Sequence, residues 1–249
     1  MFQAFVIILR ESFETFLLVS VIVAYLQKTG RRELLPPVYW GVGAAVAASV
    51  GLGCLLVQRG FDPLWEGILG LVAVVLVSML VIQMWRHARF MKRETEERLA
   101  ALAARPSTRR AAAVFLCTVL MVAREGVEAV LLLIQVHDPA FLLGAVAGLG
   151  CTGLLILLWV RASRWINLPL FFQVTSVYLL LFLGQVAIYA FHELSEAGVL
   201  PQSEAFHAAT EPFSPDGMYG KWFSVAIVVV CLGWLLLAWV RQRLVRRAD

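Results

Sequence analysis

Two short segments carry the side chains in this chain that are best suited to metal chemistry. Residues Arg10–Glu14 have the sequence R-E-S-F-E, and residues Arg124–Glu128 have the sequence R-E-G-V-E. Both follow the pattern R-E-x-x-E inside a run of apolar residues, and each offers two carboxylates three residues apart. On a helix this spacing brings two side chains close enough to share one cation. Because carboxylate oxygens are hard ligands, the segments indicate a site for a hard metal ion.

The arginine of each segment has its own electrostatic consequence. On a helix with about 100° per residue, Arg10 and Glu14 lie about 40° apart, and Glu11 lies about 100° from Arg10. Each arginine can therefore pair with the glutamate four residues on, which limits the cost of burying these charges while no metal is bound. A trivalent cation could displace such pairs. The alternative interpretation is that they are static ion pairs that hold two helices together.

The composition of the chain indicates that these charges lie inside a membrane. The 249 residues are 61% hydrophobic and only 15% charged, and the mean hydropathy is +0.81. A soluble domain of this size cannot carry so much apolar surface. Charged groups at membrane depth are costly and normally mark an ion path or substrate path. The combination favours a cation transporter over a nucleic-acid-binding protein, and the net charge of +4 reflects a few short basic segments.

The length and position of the apolar runs predict an all-α integral membrane protein with seven transmembrane helices. A span needs about 20 apolar residues. The predicted spans are 4–26, 38–57, 65–85, 111–135, 141–160, 170–191 and 222–240. With the N-terminus outside, 17 of the 21 basic residues lie in cytoplasmic segments and only two in external ones. The positive-inside rule therefore predicts an N-out, C-in orientation.

The two charged segments also predict an internal repeat, because they are 114 residues apart and lie in spans 1 and 4. These spans run in opposite directions, which predicts a 3+3 inverted repeat with one further C-terminal helix. Such repeats hold substrate near the middle of the membrane. Within one membrane domain, 1–249, we expect a first repeat at 1–105, a second at 106–192, an external acidic loop at 193–220, and a seventh helix with a basic cytoplasmic tail at 221–249.

In these motifs and spans the chain resembles the oxidase-dependent iron permeases, the iron–lead transporter family that includes the fungal high-affinity iron permease and bacterial EfeU-type importers. The resemblance implies a multi-pass protein of the cytoplasmic membrane that imports iron as substrate and needs no prosthetic group. It implies that Glu11, Glu14, Glu125 and Glu128 are metal ligands and that Arg10 and Arg124 support them as ion pairs. A separate oxidase or iron-delivery protein outside the cytoplasm would supply iron, which we expect to be ferric.

The resemblance further implies that metal is received at the outer face, before the last helix. His192, Glu193 and Glu196 are the candidates for this outer site, with the two glutamates again three residues apart. The alternative is that they form an ordinary solvated helix end.

Other functions stay open at this stage. Glutamate also accepts ferrous iron, manganese and lead, so the sequence does not separate a ferric permease from a permease for one of these divalent cations. A membrane-embedded metalloenzyme is a further alternative, but the predicted spans contain no Glu-x-x-His pair of the kind that di-iron bundles favour. The sequence leaves the oligomeric state open as well.

Overall fold

Six long helices account for most of the described chain. The computed structural model describes residues 1–58, 63–87, 97, 100, 101, 107–136, 138–162, 168–199, 226, 229 and 233. The helices are α1 (Phe2–Lys28), α2 (Leu35–Gln58), α3 (Pro63–His87), α4 (Ser107–Ile134), α5 (Phe141–Ala162) and α6 (Leu168–Glu196), and a 3₁₀ turn, Arg32–Leu34, precedes α2. Over these ranges the fold is all-α, as predicted.

Several of these helices are suited to a membrane. By length and composition, three segments are apolar enough to cross one, namely Arg32–Val57, Phe141–Leu158 and Phe172–Glu196. Helices α1 and α4 contain 27 and 28 residues and carry the charged motifs. At 1.5 Å per residue each is also long enough to cross a hydrocarbon core of about 30 Å. Each of the first six predicted spans overlaps one helix, whereas the predicted span at 222–240 lies almost wholly outside the described residues.

The helices pack in pairs that are distant in sequence. The most extensive contacts join α2 to α4, α1 to α5 and α3 to α6, and α1 also packs along α4. At one end of the bundle the N-terminal ammonium group forms an ion pair with Asp138. At the other end of the bundle, near the C-terminus of α1 and the N-terminus of α4, Nη1 of Arg110 lies 3.6 Å from Oε1 of Glu33. The two helices that carry the R-E-x-x-E motifs are therefore neighbours.

Two buried apolar clusters lie on either side of the motif of α1. The first cluster includes Ala4 and Ile7 of α1 with residues of α3, α4 and α6, among them Leu132 and Phe182. The second cluster contains Ile22, Leu26, Leu34, Val38 and Val114. Because Arg10–Glu14 lies between these clusters along α1, apolar packing closes the bundle on both sides of the charged segment.

Helices α3 and α6 approach each other closely through glycine. A Cβ atom at Gly67 would lie 2.6 Å from Cγ of Leu194 and 3.0 Å from the carbonyl oxygen of Ala190. Small residues at such positions let helix backbones approach closely in membranes. Gly67 therefore sets the distance between these two helices.

The end of α6 differs in one respect from the predicted segment boundaries. The helix continues to Glu196, so the first four residues of the segment at 193–220 are helical. Glu193 is only 8% exposed and lies beside Tyr189, which accounts for its inclusion in the packed helix end. The rest of the predicted external loop beyond residue 199 and the predicted cytoplasmic tail lie outside the described residues.

Candidate metal centre

Three glutamates of the two motifs meet between α1 and α4. One carboxylate oxygen each from Glu11, Glu14 and Glu125 lies within 4.8 Å of the others. Glu11 and Glu125 are buried, and the side chain of Glu14 is 14% exposed. The helical spacing of the first motif directs two of these carboxylates to one face of α1, and the packing of α1 on α4 adds the third. This geometry can provide oxygen ligands from both motifs to one ion.

Arg10 links the two glutamates of its own motif. Its Nη1 lies 2.9 Å from Oε1 of Glu11, and its Nη2 lies 2.8 Å from Oε1 of Glu14. The arginine is only 2% exposed, and it also interacts electrostatically with Glu125 and Glu128 across the helix contact. A planar guanidinium with several donors suits this bridging position better than a single ammonium group.

The second motif has the same pairing but a different environment. Nε of Arg124 lies 3.2 Å from Oε1 of Glu128, the glutamate four residues on. The side chain of Arg124 is 50% exposed, whereas that of Glu128 is 6% exposed. The two arginines are therefore not equivalent, because Arg10 is enclosed by the cluster and Arg124 lies at its edge.

The carboxyl group of Glu11 retains one oxygen atom that is available to a further hydrogen-bond donor or to a metal ion. Its Oε1 accepts a hydrogen bond from Arg10, and among the described residues its buried Oε2 has no hydrogen-bond partner. Leaving a buried carboxyl oxygen without a hydrogen bond is costly, so such an atom marks a place where a cation would be favourable. The donor set of three carboxylates with one unpaired oxygen fits a hard cation.

The residues predicted for the outer face form a separate group at the end of α6. Nε2 of His192 lies 3.5 Å from Oε1 of Glu196. Glu193 instead lies beside Tyr189, whose hydroxyl group donates to Oε2 of Glu66 at 2.6 Å. Within the described ranges, clusters with three close metal ligands are confined to Glu11, Glu14 and Glu125. His192, Glu193 and Glu196 therefore adjoin one another without forming a compact three-ligand site.

The sequence interpretation missed Glu66, which comes from the first turn of α3. Its only sequence signal is an isolated acidic residue at the start of an apolar run. Its partner Tyr189 is 123 positions further along the chain, a pairing that no local pattern indicates.

Comparison with known proteins gives the family. Residues 1–207 match the Iron permease FTR1 family. The chain belongs to this iron permease family. The family that the two motifs predicted is thereby confirmed, and the protein is a permease of a family associated with iron transport.

Individual relatives agree with this assignment. A protein named ferrous iron permease EfeU from Escherichia coli O6:H1 is 32% identical over 209 residues, which cover 80% of this chain and 75% of the relative. A protein of the same name from Yersinia pestis is 29% identical over 209 residues. The matched region covers 80% of this chain and 74% of that protein. An uncharacterized protein from Archaeoglobus fulgidus is 31% identical over 77% of this chain and 69% of its own length. No solved structure matches the chain.

Proposed function

We propose that this permease imports iron across the cytoplasmic membrane through a site formed by Glu11, Glu14, Glu125 and Glu128. The observation that carries the proposal is the approach of three carboxylates from α1 and α4, two of them buried and that of Glu14 partly exposed, to within 4.8 Å. Six ionisable groups inside apolar helices are far more costly than a helix contact requires. Static ion pairs would also leave no reason for the unpaired oxygen of Glu11.

The transported ion is ferric iron, delivered outside the cytoplasm by a separate oxidase or iron-delivery protein. An all-carboxylate donor set suits a hard trivalent cation, and the four glutamates and two arginines carry a net charge of −2 when ionised. A second candidate is ferrous iron, which is favoured by the name of the relatives from Escherichia coli and Yersinia pestis. Both ions would use the same ligands.

The permease has two inverted halves, each of three helices, with the N-terminus outside and a seventh helix that ends in the cytoplasm. Matching contacts support the relation between the halves. A Cβ atom at Gly41 of α2 would lie 3.1 Å from the carbonyl oxygen of Phe115, and one at Gly144 of α5 would collide with the carbonyl oxygen of Met1. Met1 and Phe115 differ by 114 positions, the same offset that relates the two motifs.

Iron reaches the central site from the outer end of α6. His192 and Glu196 pair there, and Glu193 lies one turn from Tyr189. These groups would raise the local concentration of cations before they enter the bundle. The exposed Glu196, with a side chain that is 47% exposed, would be the first of them to meet an arriving ion.

Transport into liposomes tests this function. Purified protein is reconstituted, and uptake of labelled iron is measured for ferric and ferrous iron, each with and without an added oxidase. We expect uptake by the unmodified protein and none by the Glu11→Gln/Glu125→Gln variant. Glu33→Gln serves as the matched control, because Glu33 is 71% exposed and far from the central site. Equal uptake by the double variant and the control would disprove the proposed site. Uptake of ferrous iron alone, without need of an oxidase, would select the second candidate.

A further inference from the structure

Helices α2 and α5 carry small residues along the faces that pack on the motif helices. In α2 the small residues Gly41, Ala45, Ser49 and Gly53 follow one another at intervals of four positions, and in α5 Gly144, Gly148 and Thr152 do so. The first face contacts α4 and the second contacts α1. The third residue in each series therefore carries a hydroxyl group: Ser49 in α2 and Thr152 in α5.

Thr152 connects α5 to the motif of α1. Its Oγ1 lies 3.3 Å from the carbonyl oxygen of Leu9, the residue before Arg10, and 2.9 Å from that of Gly148 in its own helix. The residue is 4% exposed. Close approach is possible because Gly148 has no side chain, since a Cβ atom there would lie 2.8 Å from the carbonyl oxygen of Phe5. The hydroxyl group of Thr152 thus joins two helices immediately beside the metal ligands of α1.

Ser49 has the corresponding position against the second motif. Its Oγ donates to the carbonyl oxygen of Ala45 at 2.9 Å and occupies the space that a Cβ atom at Gly126 would need. Gly126 lies between Glu125 and Glu128 in the sequence of the motif. The glycine in R-E-G-V-E therefore admits Ser49 and lets α2 contact α4 at the depth of its glutamates.

We propose that Thr152 and Ser49 are positioning residues for the metal centre, each fixing the motif helix of the opposite half. Thr152 holds α1 and Ser49 holds α4, so together they set the separation at which Glu11 and Glu14 meet Glu125. This inference rests on the proposed function of these glutamates. Cavity size and rigidity tune the affinity of oxygen-ligand sites, so a change in helix separation alters metal binding without removing a ligand.

The hydroxyl group of Thr152 is tested by equilibrium titration of the full-length protein in detergent with Tb³⁺, a hard trivalent probe with a luminescence signal. Thr152→Val keeps the shape of the side chain and removes the interhelical hydrogen bond. We expect the dissociation constant to increase about threefold, as for the loss of one average interhelical hydrogen bond. Thr152→Ser restores the hydroxyl group and should bind within the error of the unmodified protein.

Thr118→Val is the matched control for this substitution. The Thr118 hydroxyl group donates to the carbonyl oxygen of Val114 in its own helix. We expect its removal to leave the dissociation constant unchanged. A purely structural role of Thr152 would lower the amount of folded protein and leave the affinity of the folded fraction intact. Unchanged affinity in Thr152→Val, or an equal change in Thr118→Val, would overturn the inference for Thr152.

A compensating pair of substitutions tests Ser49. Gly126→Ala adds a Cβ atom where Ser49 now lies, so α2 and α4 must separate, and we expect metal affinity to decrease at least threefold. Adding Ser49→Gly removes the atoms that collide, so the double variant should bind metal more tightly than Gly126→Ala alone. If the double variant binds metal no more tightly than Gly126→Ala alone, the function of Gly126 is not to make room for Ser49.

The titration separates this inference from the proposed function. Glu11→Gln/Glu125→Gln is measured in the same assay. If that variant binds Tb³⁺ as the unmodified protein does, the glutamate site itself is wrong. If it loses binding while Thr152→Val and Gly126→Ala retain full affinity, the site stands and only the positioning role is wrong.

Discussion

The carboxylates of Glu14 and Glu125 approach each other to within 4.8 Å although they belong to different helices and different motifs. Two carboxylates so close repel each other unless they share a proton or a cation or an arginine lies beside them. Arg10 supplies one positive charge to Glu14 at 2.8 Å. The pair therefore depends on its counter-charges, and an arriving metal ion would add to them.

Glu14 and Glu125 should behave as one unit in metal binding. We expect Glu14→Gln and Glu125→Gln each to weaken binding at least about tenfold, since even partners outside the ligand shell typically cost 10–100-fold when they are lost. The double variant should lose less than the product of the two effects, because both side chains act on the same ion. A double-mutant cycle of metal dissociation constants measures this. Full additivity would mean that the two carboxylates do not share an ion.

Substitution by lysine should impair iron uptake more at Arg10 than at Arg124. Arg10→Lys cannot keep both contacts of the guanidinium, so we expect iron uptake to decrease at least about fivefold and the yield of folded protein to decrease as well. Arg124→Lys should reduce uptake less than twofold, because Arg124 is half-exposed and exposed pairs contribute about 0–1 kcal/mol. Initial rates of uptake in liposomes, normalised to protein content, give the comparison. Equal effects would contradict the asymmetry of the site.

The α3–α6 contact should not tolerate a methyl group at Gly67. Gly67→Ala places a Cβ atom 2.6 Å from Cγ of Leu194, and overpacking of this kind costs about 1–3 kcal/mol. We expect a lower thermal unfolding midpoint in detergent. Gly43→Ala is the control, because a Cβ atom there meets nothing within 4 Å. The packing described for α3 and α6 would be wrong if both substitutions had the same effect.

Tyr189 should stabilise the contact between the start of α3 and the end of α6 through its hydroxyl group. Tyr189→Phe removes the donor to Glu66, and losing a hydrogen bond to a charged group costs about 1.5–3 kcal/mol. We expect a lower unfolding midpoint together with normal metal affinity at the central site. Tyr39→Phe, at a position that is 58% exposed, should change neither quantity.

The outer group should affect capture of iron and not binding at the centre. For Glu193→Gln/Glu196→Gln we expect a severalfold higher iron concentration at half-maximal uptake, because two negative charges at the entrance are lost. The maximal rate and the Tb³⁺ dissociation constant of the central site should stay the same. A change in the central affinity would show that these glutamates act on the site itself, and unchanged uptake would remove them from the path.

Hydropathy was sufficient to predict the six long helices that the structure describes, and periodicity was sufficient to predict the shared face of the first motif. The spacing of Arg10, Glu11 and Glu14 fixes their common face on α1, and the duplicated motif points to α4 as a partner. Sequence spacing does not determine that Glu125, and not Glu128, joins the close group, since this depends on how α1 and α4 are rotated against each other. Nor does it reveal the different exposure of Arg10 and Arg124.

Contacts between distant helices were beyond what local patterns could predict. The small residues of α5 indicate a helix interface, but not that Thr152 reaches the carbonyl group of Leu9. Hydropathy placed Glu193 in a loop because an acidic residue near a helix end is usually solvated. Its burial beside Tyr189 depends on the packing of α3 against α6.

The pairing of helices that are distant in sequence has a consequence for how the protein is made. Helix α1 contacts α5 far more extensively than it contacts α2, its neighbour in the chain. During synthesis α1 therefore enters the bilayer well before the helix that will cover it has left the ribosome. In that interval the three charged side chains of α1 lack the packing that α5 provides, and charged groups at membrane depth are costly. Until α5 has been made, the ion pairs of Arg10 with Glu11 and Glu14 within α1 itself are the partners available to these charges.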